Sequence, residues 1–492
     1  MALGVITVRE IDPHDAQAFD AWYAVLRAGA VADREVPLVF SHQATANSLR
    51  SDNPIKTRLP VAAFDGERVV GAMLFEYYLK NDLDAVIVEI DVLPAERRQG
   101  IGTALWGWAR SKAASLGRTI YQAELAVPDG FTPETWPGSL FAAKLGFVVE
   151  HVEDHLVVPL PYEHRVELEP LEGYELISWA GPCPEEYLPV YADLRSAMAR
   201  DVPIGGMSRE PKVWTADELR QLEERTARSY QALVVLARTL DGRPAGYTVM
   251  YLPLTDPDNV QQLDTLVLRD DRGHNLGAHL KAANLAQLAE HRTTQKWLHT
   301  WTAETNGAMQ KVNARFGFVA REKNVECELE LPAPTLRPAA RAVVLDPEDR
   351  ILLLRFEFAD GHAVWAPPGG GVEAGESLPQ ALARELAEEI GIEPPADAPH
   401  LWHQVTVADG HAAGFDGVTN DYFLVRTDAF DPAGSMSVEE MQAENVHGYR
   451  WLTFEEIQSH RGPEYLSPRT LPVLLSRLRD DGPPAEPVFI GL

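Results

Sequence analysis

Residues 370–392, GGVEAGESLPQALARELAEEIGI, decide the fold of the last third of the chain. The stretch predicts a helix that begins after Ser377, whose hydroxyl can cap the first turn, and that runs to about Ile390. Gly391 is the helix stop, because glycine readily adopts the left-handed conformation that ends helices. A glycine-rich segment followed by an amphipathic helix is therefore expected here.

The two faces of this helix have different chemistry. Glu385, Glu388 and Glu389 are spaced i, i+3 and i+4, so they project from one face. Three like charges repel, and a chain tolerates them when a cation lies among them; oxygen ligands suit Mg²⁺ or Mn²⁺. The apolar residues form a separate stripe that would anchor the helix on a sheet: Leu382, Leu386 and Ile390.

This spacing is identified as the Nudix box, with every fixed position present: Gly370, five residues, Glu376, seven residues, and then residues 384–392. The resemblance implies an α/β/α sandwich that hydrolyses a diphosphate with divalent metal ions, which neutralise charge and activate water. It also implies that Arg384 pairs with Glu376 to hold loop and helix together. The implied metal ligands are Gly370, through its carbonyl, and Glu385, Glu388 and Glu389, which are also the implied catalytic residues.

The rest of this domain offers weaker signals. Strand-like runs at 339–345 and 351–355 precede the box, and residues 449–452 form another. The family sometimes recruits a general base from a later loop, and Glu444 is our candidate, with a solvated acidic loop as the alternative. Arg355 is either a phosphate ligand or a surface salt bridge. The nucleotide substrate is left open between a nucleoside triphosphate and a nucleotide-linked sugar. Two further acidic residues lie in the same segment as Glu444: Glu439 and Glu440.

Two proline-containing breaks divide the chain. They lie at 158–161 and 331–334, and both interrupt strand-like runs. A length of 492 residues suits about three domains. We therefore expect three domains, with the bounds 1–162, 163–333 and 334–492.

The first two segments are related to each other. Residues 92–105 align without gaps with residues 267–280, and residues 144–148 answer residues 315–319 in the same order. In each, an apolar strand runs into a basic, glycine-containing turn and then an amphipathic helix. Glycine N–H groups and a helix N-terminus at such a turn suit a pyrophosphate. The expected fold class is thus mixed α/β (α+β), with a repeated domain before the Nudix domain.

The repeated turn resembles the Arg-x-x-Gly-x-Gly loop of the GNAT acyltransferases, which use acetyl-CoA. The second repeat also resembles the tandem GNAT proteins of actinobacteria, such as mycothiol synthase. The resemblance covers roughly residues 1–332. Asn275 replaces the first glycine of the second loop, and asparagine tolerates positive φ well enough for the loop to survive. The implied acyl-CoA contacts are Val92, Arg97, Gly100 and Gly102 in repeat one, and Val267, Arg272, Asn275, Gly277 and Asn306 in repeat two.

Catalysis in this family is direct transfer from the thioester to an amine, assisted by a base. Glu89 and Asp264 fall at one aligned position and are the candidate bases, with Asp91 on the same face as Glu89; solvated or salt-bridged carboxylates are the alternative. The family's usual tyrosine acid falls on Ala142 and Asn313, so neither repeat has it. Which repeat is active stays open at this point.

Composition narrows the function classes. The net charge of −29 argues against nucleic acid as a partner, because phosphate backbones need a basic surface. No apolar run is long enough for a membrane helix, and the N-terminus does not read as a leader. Cys183 and Cys327 are expected to be ordinary buried thiols. We expect a cytoplasmic protein with small-molecule nucleotide and amine substrates.

The leading hypothesis is a bifunctional enzyme that combines a metal-dependent Nudix hydrolase with an acetyl-CoA-dependent N-acyltransferase. In one alternative, the tandem GNAT-like domains only bind or sense acyl-CoA beside an active hydrolase. In another, the protein is a regulator that binds a nucleotide without cleaving it. The complete Nudix box argues against the second alternative.

Overall fold

The structure is a computed structural model. It describes residues 6–292, 294–358, 361–412, 414–460 and 464–490, and for residues 408–412 it describes the backbone alone. Residues 1–5, at the start of the predicted first domain, and residues 491–492, at the end of the third, lie outside the described residues.

The first repeat alternates strands and helices in the predicted order. Between β4 and α3 lies a short 3₁₀ turn, followed by the basic loop. Its elements are β1 (Ile6–Glu10), α1 (Ala16–Val31), α2 (His42–Arg50), β2 (Lys56–Asp65), β3 (Arg68–Tyr78), β4 (Ala85–Val92), α3 (Ile101–Ser115), β5 (Ile120–Pro128), α4 (Pro137–Leu145) and β6 (Val148–Pro159).

The second repeat has the same succession of elements. They are β7 (Tyr174–Ala180), α5 (Leu188–Asp201), α6 (Ala216–Thr226), β8 (Tyr230–Thr239), β9 (Pro244–Pro253), β10 (Asn259–Val267), α7 (Leu276–His291), β11 (Trp297–Ala303), α8 (Gly307–Arg315) and β12 (Val319–Glu330).

The two repeats share one twelve-stranded sheet. Its strand order is β1-β2-β3-β4-β5-β12-β6-β11-β10-β9-β8-β7, which reads as two equivalent halves back to back. The last strand of each repeat pairs with the other repeat: β12 lies against β5, and β6 lies against β11. Because β6 and β12 also pair with each other, the repeats are joined through their exchanged strands. The domain bounds near residues 162 and 334 stay predictions.

Helices cover both faces of each half of this sheet. In repeat one, α3 packs over a core that includes Val61, Met73 and Phe75, whereas α1 packs over the opposite face around Ala62 and Leu74. Neighbouring strand residues point to opposite faces, so strands buried on both faces are nearly continuously apolar. This explains why β2 and β3 read as unbroken apolar runs.

The C-terminal part forms a second sheet. Its elements are β13 (Leu336–Leu345), β14 (Ile351–Glu357), β15 (Ala363–Ala366), β16 (Gly369–Gly371), α9 (Leu378–Glu389), β17 (His400–Ala412), β18 (Phe415–Arg426), α10 (Val438–Ala443), β19 (Val446–Leu452), α11 (Phe454–Gln458), β20 (Tyr465–Leu466), α12 (Leu471–Asp481) and β21 (Val488–Ile490). Helices α9 and α12 pack on opposite faces of this sheet, as an α/β/α sandwich requires. The predicted strands at 339–345 and 351–355 lie within β13 and β14.

The second sheet packs directly against helix α3 of repeat one. The ring of Phe489 lies edge-on to Trp108 with 5.9 Å between centroids, and Lys112 lies over the same Phe489 ring at 4.2 Å. The amide of Val407 also donates to the buried Ser111 Oγ at 3.3 Å. The helix that follows the basic loop of repeat one therefore also forms the docking surface for the C-terminal domain.

Two smaller expectations concern thiols and membranes. Cys183 and Cys327 are free and buried, as predicted. Among the helices of the described ranges, none is both long and apolar enough to cross a bilayer.

Candidate active sites

Helix α9 forms where the sequence predicts it. Ser377 caps the helix, and Gln380 reaches back to accept from the Ser377 amide at 2.9 Å. Gly391 follows the helix with a φ of 77°, a left-handed conformation that glycine adopts without strain. The predicted apolar stripe is fully buried under the sheet, which fixes the opposite, acidic face toward a cavity; the stripe consists of Leu382, Leu386 and Ile390.

The three glycines of β16 each lie against a polar side chain of α9. The amide of Gly369 donates to Glu389 Oε2 at 2.6 Å. A methyl group on Gly370 would lie 2.5 Å from Glu385 Oε2. The carbonyl of Gly371 accepts from Arg384 Nη2 at 2.8 Å. Glycine is needed at position 370 because the Glu385 carboxylate lies too close for a side chain, whereas a methyl group at position 369 would meet the Ala340 carbonyl and one at position 371 would meet the Arg337 side chain.

Arg384 organises the acidic face. Its Nε donates to Glu376 Oε1 at 2.9 Å and its Nη2 to Glu376 Oε2 at 3.0 Å, the bidentate pair expected between loop and helix. Its Nη1 lies 2.9 Å from Glu385 Oε1 and 3.0 Å from Glu388 Oε2. The guanidinium thus takes the place between two of the three predicted metal ligands.

The carboxylates at this face are the kind of ligand that binds a divalent cation, but their side chains are too far apart here to hold one together. In the described part of the chain, no three His, Cys, Asp or Glu side chains are gathered closely enough to hold a metal ion. Yet Glu385 and Glu389 are buried, and desolvation raises the pKa of Glu385 and raises that of Glu389 to about 8. Buried carboxylates held with a backbone carbonyl nearby are a donor set that becomes favourable when a hard cation binds.

An open cavity of about 590 Å³ lies in front of this face. Glu444, at the end of α10, lines it together with Glu385 and Glu388, and Glu444 is among the charges that raise the pKa of Glu389. Glu440 also lines the cavity, whereas Glu439 is not among its lining residues. Three further polar lining residues, which the box pattern does not single out, are Arg337, Glu373 and Ser435.

Arg355 is committed to ion pairs. Its Nη1 lies 2.6 Å from Glu357 Oε2, and its Nη2 lies 2.8 Å from Glu464 Oε1. The salt-bridge alternative is therefore the one that the structure shows.

In the tandem sheet, the strands that flank each basic loop separate partway along their length. Strands β4 and β5 pair in parallel only from Ala85–Ile120 to Ile87–Gln122, and β10 and β11 pair only over the first three residues of each. Beyond these pairs the two strands of each repeat no longer pair with each other. Glu89 and Asp264 lie on these parts of β4 and β10.

The two basic loops share one backbone path with different residues. Repeat one places Arg98 (φ 65°) and Gly100 (φ 86°) in the left-handed region. Repeat two places Gly273 (φ 89°) and Asn275 (φ 59°) there, so asparagine does adopt the conformation of the missing glycine. Neither Gly100 nor Asn275 caps its helix with a side chain, so the first helical N–H groups are left for a ligand.

The loop arginines are held in the same way in both repeats. The Nε of Arg97 donates to the Val92 carbonyl at 3.4 Å, and the Nε of Arg272 donates to the Val267 carbonyl at 3.1 Å. Both second glycines, at positions 102 and 277, lie in the first turn of their helices. A methyl group on Gly102 would lie 3.3 Å from Phe141, so that turn is closely packed.

Glu89 has the environment of a base. Solvent reaches its side chain, yet the protein around it is dense, and desolvation together with the negative charge of Glu76 raises the pKa of Glu89 to about 7. Burial also raises the pKa of the neighbouring Asp91 well above its ordinary range. The cations nearby are engaged elsewhere, since Arg58 and Lys56 pair with Glu76.

Asp264 is engaged by its neighbours. Its Oδ2 accepts from Tyr247 Oη at 2.7 Å and lies 3.5 Å from Arg195 Nε. In repeat one, the strand register places Ala72 where Tyr247 lies in repeat two. The carboxylate that is available in one repeat is thus held in hydrogen bonds in the other.

In repeat two, the side chains of Asn306 and Asn313 form hydrogen bonds within the protein itself. Asn306 caps helix α8 by accepting from the Met309 amide at 3.2 Å. Asn313, at the position of the family's tyrosine, is buried; it accepts from Lys281 Nζ at 2.6 Å and donates to Thr302 Oγ1 at 2.7 Å. Lys281 is also buried, and desolvation lowers its pKa to about 7. Sequence reasoning missed Lys281, because only the tertiary fold shows that it is buried.

The comparisons with known proteins agree with these two kinds of site. The model of the NUDIX domain matches residues 335–471, and the model of the acetyltransferase (GNAT) family matches residues 22–129. The chain is 28% identical over 128 residues to an RNA pyrophosphohydrolase of Sulfurovum sp. (strain NBC37-1), which is 25% of this chain and 80% of that protein. It is 41% identical over 63 residues to an RNA pyrophosphohydrolase of Caulobacter vibrioides (strain NA1000 / CB15N), which is 13% of this chain and only 37% of that protein.

A solved structure resembles the tandem part. It is a tandem GNAT protein from the clavulanic acid biosynthesis pathway, determined without AcCoA, with 28% sequence identity and a TM-score of 0.57. The similarity covers 66% of this chain and 98% of that one.

The fold and the sites define an enzyme of mixed α/β architecture that joins acetyltransferase-type and hydrolase-type domains. The chain carries tandem GNAT-like folds, of which residues 22–129 match the GNAT family, followed by a Nudix domain at residues 335–471.

Proposed function

We propose that this protein is a bifunctional enzyme: a metal-dependent hydrolase of a nucleoside-diphosphate-linked substrate, and an N-acyltransferase that uses acetyl-CoA. The observation that supports the hydrolase best is the set of buried carboxylates of α9 against the glycines of β16, at the wall of a cavity large enough for a nucleotide. The relatives named RNA pyrophosphohydrolases also cleave a phosphoanhydride, as their name says, which supports this reaction class.

In the hydrolase, we assign Glu385, Glu388, Glu389 and the carbonyl of Gly370 to Mg²⁺ or Mn²⁺. The bound ion would supply charge neutralisation on the diphosphate and a more acidic water. Arg384 holds Glu385 and Glu388 in place and would have to release them, in part, to the ion. Glu444 lines the same cavity, and its side chain forms no ion pair with any residue that the structure describes, so we assign it to accept the proton of the attacking water.

In the acyltransferase, we assign catalysis to repeat one. Glu89 lies on the part of β4 that no longer pairs with β5 and has a pKa of about 7, which suits a group that must take a proton from an ammonium at neutral pH. The amine then attacks the thioester carbon, the C–S bond breaks, and CoA leaves as the thiolate. Arg97, Gly100 and Gly102 form the loop that would hold the pyrophosphate of acetyl-CoA.

Repeat two keeps the loop but not the base. Arg272, Asn275 and Gly277 follow the same backbone path as repeat one, whereas Asp264 is held by Tyr247 and Arg195. We therefore propose that repeat two binds acyl-CoA without transferring it. This combines the leading hypothesis for repeat one with the sensing alternative for repeat two.

One experiment separates these assignments. Release of nucleoside monophosphate is screened with nucleoside di- and triphosphates and nucleotide sugars in the presence of Mg²⁺, and thiol release from acetyl-CoA is screened with a panel of amines. Hydrolysis that needs metal supports the Nudix assignment, and amine-dependent thiol release supports the acyltransferase. A chain that binds CoA in calorimetry but releases no thiol with any amine would instead support acyl-CoA sensing by both repeats.

A further inference from the structure

Repeat two contains a basic cavity next to its acyl-CoA loop, with which the cavity shares Arg272, and two further arginines of the cavity lie outside that loop. The cavity measures about 260 Å³ and lies between the end of helix α5, the end of strand β10 and the loop before α7. Three arginines and one aspartate line it, over an apolar floor; these residues are Arg200, Asp201, Leu266, Leu268, Arg269 and Arg272.

The charges in this cavity are unbalanced. Arg272 pairs with Asp201, and its Nε is fixed on the Val267 carbonyl. Arg200 and Arg269 form no ion pair with any residue in the described ranges. The chain has 73 acidic against 44 basic residues, so two arginines left without carboxylate partners in one cavity are notable. An anion would satisfy both guanidinium groups, and phosphate matches their planar donor geometry.

Repeat one lacks this feature although its framework is the same. There Arg97 lies 3.5 Å from Asp33, as Arg272 pairs with Asp201. Ala32 precedes Asp33 where Arg200 precedes Asp201, and Pro94 follows Leu93 where Arg269 follows Leu268. The arginine–aspartate pair is therefore common to both repeats, and the two additional cations belong to repeat two alone.

The cavity lies on the face of the sheet that α5 covers. Leu266 and Leu268 pack with α5, whereas Val267 packs under α7 on the other face. Because strand side chains alternate, Asp264 lies on the same face as the cavity floor. A ligand there would have its anionic group beside the arginines and an uncharged portion over Leu266.

We propose that this cavity binds the phosphate group of a small molecule. The phosphate has two possible sources, a separate phosphorylated ligand or the 3′-phosphate of CoA, and both offer the same chemistry to Arg200 and Arg269. The proposal does not depend on catalysis by either repeat, so it can fail while the proposed function holds, and the reverse.

The test measures binding of inorganic phosphate to the full-length protein by equilibrium dialysis at low ionic strength. The double variant Arg200→Gln/Arg269→Gln should lose one phosphate site or bind it at least about 10-fold more weakly, because hydrogen bonds between charged groups contribute roughly that much each. The matched control is Arg165→Gln/Arg228→Gln, which removes two exposed arginines of repeat two outside the cavity and should bind phosphate like the wild type. Circular dichroism checks that both variants are folded.

A second arm identifies the source of the phosphate. Calorimetry compares CoA with 3′-dephospho-CoA on the same proteins. If the cavity holds the CoA phosphate, the double variant should bind CoA about 10-fold more weakly and dephospho-CoA unchanged. If it holds a separate ligand, both CoA affinities stay at the wild-type value while the dialysis site is lost. Equal phosphate binding by the wild type and the double variant would overturn the proposal.

Discussion

The two repeats have the same backbone but different electrostatics at the same place. In repeat one, Glu89 is reached by solvent, with a pKa raised to about 7, while the surrounding cations pair with Glu76. In repeat two, the aligned Asp264 accepts from Tyr247 and lies beside Arg195. The difference teaches that one fold can keep the same loop path in both copies while its aligned carboxylate is held by hydrogen bonds in only one.

The loops show how much of the backbone survives this divergence. Each loop has two left-handed residues, and glycine fills the second in repeat one but the first in repeat two. The remaining positions are Arg98 and Asn275, so the chain accepts some strain to keep the path. A loop that only linked a strand to a helix would have little reason to keep it.

The largest expected effect is on hydrolysis by the Nudix domain, and it should leave the two repeats unaffected. Glu389→Gln should lower diphosphate hydrolysis about 1000-fold at saturating Mg²⁺, because the loss of a ligand charge removes several kcal/mol of charge stabilisation. Acetyl transfer should stay unchanged. Initial rates of nucleoside monophosphate release and of thiol release measure the two activities.

The matched control for that variant is Glu439→Gln, which changes an exposed acidic residue that does not line the cavity. It should hydrolyse at the wild-type rate. A folded Glu389→Gln protein with near-normal hydrolysis would remove the metal-site assignment.

The next largest effect is expected in the pH dependence of acetyl transfer. If Glu89 is the base, it acts only when deprotonated, so we expect kcat/KM for acetyl transfer to fall about tenfold for each pH unit below 7 and to level off above it. Thiol release from acetyl-CoA is followed from pH 5.5 to 8.5 with a reagent that reacts at acidic pH. A profile that is flat down to pH 5.5 would show that no group with this pKa controls the reaction.

The loops provide a smaller effect. Gly100→Val forces a β-branched residue into a left-handed conformation, which costs roughly 1–2 kcal/mol and should weaken CoA binding at repeat one about 10-fold. Gly117→Val is the control, since it places the same strain at the other end of α3, where a side chain meets open space. Calorimetry with CoA should find normal affinity for the control. Equal affinity for both variants would contradict the role of the loop.

The smallest effect concerns the buried lysine of repeat two. Desolvation lowers the pKa of Lys281 from 10.5 to about 7, so between these values the unfolded chain binds more protons than the folded one. Stability therefore rises with pH in that range, and the buried lysine is most costly at pH 7. Lys281→Met should raise the free energy of unfolding by about 1 kcal/mol at pH 7, after the lost bond to Asn313 is counted, and by less at pH 9.

Urea unfolding at the two pH values checks this. An increase of the same size at both would mean that the effect comes from packing and not from the charge of the lysine.

The sequence predicts features that depend on neighbouring residues better than contacts between residues that lie far apart in the chain. The Nudix helix was predictable because its cap, its carboxylate spacing and its apolar stripe all lie within residues 377–391. The loops were predictable for the same reason. The exchange of β6 and β12 was not, because pairing of β12 with β5 joins residues that are about 200 positions apart.

The same limit applies to the sites. Glu89 and Asp264 look alike in sequence, and the partners that make them different come from other elements: Arg195 from α5 and Tyr247 from β9. Glu444 likewise reaches the Nudix cavity only through the placement of α10. Electrostatic environment depends on tertiary contacts, so it is what sequence reasoning must leave open.

The most direct test of this account compares acetyl transfer by Glu89→Gln and Asp264→Asn with the wild type at pH 7.5, using the amine that gives the fastest thiol release. Both variants keep the size of the side chain and remove its charge. The account predicts a loss of about 100- to 10000-fold for Glu89→Gln, the usual contribution of a general base, and a rate within about threefold of wild type for Asp264→Asn. A Glu89→Gln protein that keeps its rate, or an Asp264→Asn protein that loses it, would contradict the assignment of catalysis to repeat one.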